Sequence, residues 1–259
     1  MKNLALNVLT CKVKKLVFVI PLLSLVCQSV AVKAQDTLQS KGKVKVAVID
    51  GEASLDRLRA YKVPYCNSVR IQSVDFVEGL ASKHATNVML TVINGVNNKK
   101  VCVTNFPVFK DVDTEKKFLA SEPISAAINK AVDQGYTVIN LSIGGKGRMD
   151  SERLAILRGL VRGVKFILSS GNEGLVINKD LCKDNEYVGC YALIDSWKKY
   201  IDNGQLVFVG HWDKFNNVPS NKVSGMKFEK SCVSKDSIDM CGSSQSAALY
   251  TNKLLMEIN

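Results

Sequence analysis

The chain has 259 residues, 46% hydrophobic and 23% charged, which is ordinary globular usage and long enough for one large α/β domain or two small ones. That composition excludes global disorder. The net charge of +11 overstates the basicity, because residues 1–34 hold five lysines and no acid, leaving 30 basic against 24 acidic side chains in the remainder. With so mild an excess, no nucleic-acid motif and no basic stripe interleaved with aromatics, nucleic acid is not an expected partner.

The N-terminus reads as an export signal. Lys12, Lys14 and Lys15 precede an apolar run, Leu16 to Val32, broken by Pro21, Ser24, Gln28 and Ser29. It ends in Val32-Lys33-Ala34, small or apolar where a signal peptidase needs them, so cleavage after Ala34 is expected. An uncleaved anchor is the alternative, and only that would make a membrane a partner. At about 17 residues the run is at the short edge for a bilayer span. Residues 35–42 form a short polar segment, and 43–259 are expected to form one domain. An exported chain, periplasmic or secreted, is the expectation.

Val44–Ile49 (VKVAVI) predicts a buried strand, and Val101–Val108 a second. Ile124–Gln134 has helical spacing with Gly135 as its stop, followed by a strand over Val138–Ile143. Ser151–Val161 repeats the helical pattern, then Val164–Ser169 and Leu206–Gly210 read as strands. Ser244–Ile258 reads as a terminal helix. Strands alternating with helices predict an α/β domain, a mostly parallel sheet with helices on both faces. In such sheets functional groups gather beyond the carboxyl ends of the strands. Asp50-Gly51, Gly144-Gly145 and Gly171-Asn172-Glu173-Gly174 occupy those loops.

Eight cysteines are present, of which Cys11 and Cys27 lie in the export segment. An even set of six in an exported chain predicts disulfides, with 15 connectivities open. The shortest loops pair Cys182 with Cys190 and Cys232 with Cys241, which leaves Cys66 with Cys102. A metal site is not expected, since there is no C-x-x-C pair and only two histidines.

A serine nucleophile needs a base, and only His84 and His211 are available. His84 lies in the polar stretch SKHATN just ahead of apolar residues, which suits a helix start in a cleft. Asp50, ending a buried strand, can fix the tautomer of a histidine. Ser244 begins a helix, where unpaired N–H groups favour a developing oxyanion. Asn172 can add a side-chain amide donor to the same oxygen. His211 follows LVFVG and is read as structural or surface.

These blocks resemble those of the subtilisin-like serine proteases. VKVAVIDG (44–51) is similar to the strand presenting the family's aspartate, and HATNV (84–88) to its His-Gly-Thr-His-Val block. VINLSIGG (138–145) is similar to the substrate-pairing strand and FILSSGNEG (166–174) to the oxyanion segment. GSSQSA (242–247) resembles Gly-Thr-Ser-Met-Ala at the nucleophile. The order, Asp then His then Ser, is the family's. The resemblance implies a three-layer subtilisin-like fold and an exported serine endopeptidase. It implies Asp50, His84 and Ser244 as catalytic triad, Asn172 in the oxyanion hole, and Ser142, Ile143 and Gly144 pairing with a polypeptide substrate. The alternative is a weak or inactive binding protein on the same fold.

The chain departs from the family pattern in places. Gly51 stands where Ser or Thr is usual, Ala85 for Gly, Asn87 for His, Gln245 for Met and Ala248 for Pro. No pro-domain fits in the short segment before the first strand, so either none is needed or a separate inhibitor-chaperone serves. Structural calcium occurs in the family and is left open, although no acidic cluster convincingly supplies a site; no other cofactor is expected.

Overall fold

The computed structural model describes residues 42–66, 72–114, 117–120, 122–143, 150–184, 187–212, 219–230, 232–235 and 238–258. The expected export segment and Gly144 lie outside them. The architecture is α/β: a seven-stranded sheet of order β3-β2-β1-β4-β5-β6-β7. Its strands are β1 (Val44–Gly51), β2 (Val101–Asp111), β3 (Phe118–Ala120), β4 (Val138–Leu141), β5 (Lys165–Ser169), β6 (Leu206–His211) and β7 (Lys227–Glu229). Every pairing is parallel except β2 with β3.

The helices are α1 (Leu55–Ala60), α2 (Leu80–Val92), α3 (Ile124–Asp133), α4 (Asp150–Val161), α5 (Leu181–Asp184), α6 (Lys198–Asp202) and α7 (Ser243–Glu257). A separate hairpin, β8 (Val233–Lys235) with β9 (Ile238–Met240), precedes α7. The principal elements fall where periodicity put them, except α2, of which only a start near His84 was expected and which begins four residues earlier. The short pieces β3, β7, β8, β9, α1, α5 and α6 are additions, too brief to leave a periodic signal.

Alternation along the strands sorts side chains between two helical layers, because successive residues point to opposite faces. Ala47 and Ile49 of β1, Ile139 and Leu141 of β4, and Phe166 and Leu168 of β5 share one core with α3 and α4. Val46, Val48, Val138 and Ile167 are equally buried but stand outside that cluster. They belong to the opposite face, where Asn140 of β4 bonds Thr251 of α7 and α2 packs against α7. Asp50 has the parity of Val46 and Val48. Ser142 has the parity of Val138 and Asn140. Both side chains therefore emerge on the α2/α7 side, at the carboxyl ends of adjacent strands.

That edge is also where the topology divides. The chain passes from β1 to β2 on one side, then returns through α3 to β4 on the other. Such a switch point leaves a crevice beyond the strand ends.

The disulfides are Cys66–Cys102, Cys182–Cys190 and Cys232–Cys241, as sequence proximity predicted, with separations of 36, 8 and 9 residues. Restriction of the unfolded chain is worth about 4 kcal/mol for the long loop and about 2.5 kcal/mol for each short one. Replacing Cys66 and Cys102 together by serine is therefore expected to lower the melting temperature more than removing either local pair. Calorimetry of the three double variants checks this ranking.

Among the described residues no helix is long and apolar enough to cross a membrane.

Glu152 is a buried carboxyl in α4 whose Oε1 accepts a hydrogen bond from Tyr191 Oη at 3.1 Å. Burial pushes its pKa up, and the Tyr191 bond offsets this only in part. A carboxyl raised in the folded state binds more protons folded than unfolded. Stability then falls as pH rises from the ordinary glutamate value, about 4.3, through the raised one. Glu152→Gln is expected to raise the melting temperature at neutral pH and to leave it unchanged below pH of about 4. Thermal scans across pH check this.

Candidate active site

At the switch point a cleft of about 360 Å³ is lined by Asp50, His84, Ser142, Ile143, Asn172 and Ser244, together with Leu80, Ala81, Phe109, Ser169, Gly171, Glu173 and Ser243. Six of the seven residues singled out in the sequence meet here, from five separate stretches of chain. The seventh, Gly144, lies outside the described residues. His211 is elsewhere, buried at the end of β6, where its backbone N–H donates to Ser220 Oγ at 3.1 Å.

Asp50 sits at the end of the buried strand β1 and is 2% exposed. Its Oδ1 accepts the Gly51 backbone N–H at 2.7 Å and faces His84 Nδ1 at 2.9 Å. A carboxylate can only accept, so Nδ1 carries the proton and Nε2 holds the lone pair in the neutral ring. The second oxygen, Oδ2, is buried without a hydrogen-bond partner among the described residues.

His84 occupies the second turn of α2, with its side chain 31% exposed at the cleft wall. Burial disfavours the imidazolium, but the charge of Asp50 and its hydrogen bond outweigh it, so the His84 pKa lies above the ordinary value. The pair's contribution to stability is complete below about pH 6.5 and is lost as pH rises through the raised value. Gly51 explains one departure from the family pattern. A Cβ there would lie 2.5 Å from the Ala81 carbonyl oxygen, so any larger residue would push the first turn of α2 away from β1.

Ser244 is the second residue of α7. Its Oγ donates to the Ser142 backbone carbonyl at 2.8 Å. In return Ser142 Oγ shares its single proton between Asn140 Oδ1 at 2.7 Å and the Ser244 carbonyl at 3.0 Å. Among the described residues Ser244 Oγ makes no hydrogen bond to His84. Asn140 and Thr251, which seat α7 on β4, were not singled out in the sequence. Asn140 is a polar residue inside the otherwise apolar strand VINL, and that interruption was the available signal.

Asn172 Oδ1 accepts the Ser243 backbone N–H at 2.7 Å. This uses the carbonyl half of the amide and leaves the NH2 half as its donor at the cleft. The Ser244 N–H lies in the first turn of α7, where no intrahelical carbonyl can meet it. Gly242, which precedes α7 with φ of 110°, lies directly against Asn172. A side chain there would be strained and would meet Asn172 Nδ2 at 2.9 Å. The Asn172 loop is braced by buried Asn221, whose Nδ2 donates to Glu173 Oε2 at 2.6 Å while its Oδ1 accepts the Leu175 N–H at 2.9 Å.

The helices carrying His84 and Ser244 are joined by polar contacts. Gln245 Nε2 donates to Thr91 Oγ1 at 2.6 Å. Asn252 Nδ2 donates to the carbonyls of Val92 and Asn94 at 3.0 and 2.8 Å. Gln245, where the family has methionine, therefore has a local role in tying α7 to α2. Among the described residues no group of three or more acidic, histidine or cysteine side chains is arranged to hold a metal ion.

No family model matches the chain, and no curated protein matches it in sequence. Solved structures do match. The protease domain of PatA superposes with a TM-score of 0.59 at 16% identity, over 83% of this chain and 80% of that one. The nisin leader peptidase NisP from Lactococcus lactis gives 0.55 at 15%, over 87% and 80%. A cold-adapted subtilisin-like serine proteinase gives 0.53 at 19%, over 84% and 76%. The fold is thus the subtilisin-like three-layer α/β fold, as the sequence blocks implied.

Proposed function

We propose that this chain is an exported serine endopeptidase that hydrolyses polypeptides through an acyl-enzyme. The observation that carries the proposal is the Asp50–His84 pair, its Nε2 lone pair in the cleft that Ser244 lines, on this fold and in this chain order. Three disulfides support an oxidising compartment outside the cytosol.

An extended peptide adds beside the end of β4, at Ser142 and Ile143, and on into Gly144, through backbone hydrogen bonds. Ser244 then turns about χ1 from the Ser142 carbonyl towards His84, an adjustment usual between free and substrate-bound sites. Ser244 Oγ attacks the scissile carbonyl carbon as His84 Nε2 takes its proton. The oxyanion accepts hydrogen bonds from Asn172 Nδ2 and the Ser244 N–H. Collapse breaks the C–N bond, and the departing amine takes the proton from His84. Water, deprotonated by His84, then attacks the ester carbonyl; the C–O bond to Ser244 breaks and Ser244 Oγ takes the proton back from His84.

A binding protein on the same fold, without turnover, is the alternative, favoured by the bond that holds Ser244 Oγ on Ser142. Digestion of a denatured polypeptide, read by mass spectrometry of new termini, separates the two. Internal cleavage that a phosphonyl fluoride blocks supports the peptidase. An intact polypeptide that nevertheless co-elutes with the folded protein supports binding.

A further inference from the structure

Helix α2 carries His84, yet it begins at Gly79 with no side chain of its own to cap it. The first N–H groups of a helix have no intrahelical acceptor and need partners from elsewhere. Here they come from one carboxylate 29 residues or more along the chain. Asp111, the last residue of β2, accepts the Gly79 N–H at 3.0 Å and the Ser82 N–H at 2.8 Å through Oδ2. It accepts the Ala81 N–H at 2.9 Å through Oδ1. Asp111 is 5% exposed, so water does not compete for these contacts.

The strand on which Asp111 ends lies beside the Asp50 strand: Asp50 pairs with Pro107, and Gly51 with Phe109. Asp111 therefore clamps the first turn of α2 to the strand adjoining the one that presents Asp50. Leu80 and Ala81, within that clamped turn, line the cleft, and His84 follows directly. Other hydrogen bonds tie α2 to the rest of the chain beyond its first turn: Thr86 Oγ1 accepts the Ser54 N–H at 2.9 Å, and further contacts lie at Thr91 and Val92. The first turn itself, directly before His84, is held by Asp111.

We propose that Asp111 is a positioning residue that seats α2 so that His84 meets Asp50. The proposal rests on the peptidase function for its kinetic consequence, but its structural core can be read without turnover. A helix shift of about 1 Å at a catalytic group is enough to cost roughly 100-fold in rate. Loss of the clamp is expected to lower kcat by about 10- to 100-fold with KM within about twofold.

The test is NMR titration of His84 in the full chain, made simple by the presence of only two histidines and assigned with His211→Gln. In Asp111→Ala the Asp50 contact loosens while the ring stays partly buried, so the His84 midpoint falls below that of wild type. Asp111→Asn keeps one acceptor oxygen and gives an intermediate midpoint and an intermediate kcat. It also serves if Asp111→Ala does not fold. Folded variants with the wild-type His84 midpoint, even if less stable, would overturn the proposal and leave Asp111 a cap for stability alone. A midpoint lowered in Asp111→Ala, with a wild-type protein that cleaves nothing, would instead uphold the clamp and refute the peptidase.

Discussion

Ser244→Ala is expected to remove peptide-bond cleavage by roughly 10⁶-fold, close to the loss from deleting a whole triad. The substitution takes away one oxygen from the first turn of α7. It removes the bond from Ser244 Oγ to the Ser142 carbonyl, but the Ser142 Oγ bonds to Asn140 and to the Ser244 carbonyl remain. Folding and peptide binding should therefore persist, with KM little changed. Residual turnover would come from Asn172, the Ser244 N–H and the bound geometry alone. Progress curves with purified variant and wild type measure the ratio. Equal rates would show that cleavage comes from another group or a contaminant.

Asp50→Asn is expected to cost about 10⁴-fold in kcat. A neutral asparagine at this position no longer stabilises the imidazolium, and with its NH2 turned towards His84 Nδ1 it favours the tautomer with its proton on Nε2, the wrong nitrogen for a base. The change also removes the charge that raises the His84 pKa while leaving the burial that lowers it. Wild-type kcat/KM should rise with pH through a midpoint above the ordinary imidazole value of about 6.5. In Asp50→Asn the residual activity should rise through a midpoint below that of wild type. The stability term has the same origin. Wild type loses the pair's contribution as pH rises through the raised value, and Asp50→Asn has none to lose. A pH–rate profile of both proteins decides the matter. An unchanged midpoint would mean that His84 is not the titrating base.

Much of this arrangement was legible in the residues. VKVAVI, VINL and KFILS are runs whose β-branched and apolar content can only be buried between two layers, so β1, β4 and β5 could be placed to within two residues of their ends. Polar residues directly after those runs then had to lie at one edge of the sheet. The disulfides followed sequence proximity because two of the three loops are short.

What could not be read depends on contacts between distant segments. Helix α2 starts at Leu80, four residues before His84, because its cap is Asp111 and not a neighbouring side chain. Gln245 and Asn87 stood out only as departures from a family pattern. Gln245 proves to bond Thr91 across the seam between α2 and α7, while Asn87 is buried in α2 with neither amide atom hydrogen-bonded among the described residues. The hydrogen-bond partner of Ser244 was equally hidden. A hydroxyl at a helix start can turn to several acceptors, and the proximity of the Ser142 carbonyl arises only when β4 and α7 are packed together.

The central claim is that Ser244 is a nucleophile activated by His84. Reaction of the oxidised, folded protein with a fluorophosphonate, followed by peptide mapping, tests it most directly. One adduct, on Ser244, absent from Ser244→Ala and strongly slowed in His84→Ala, is the predicted result. A folded protein that stays unlabelled, or an adduct that maps to a different serine, would contradict it.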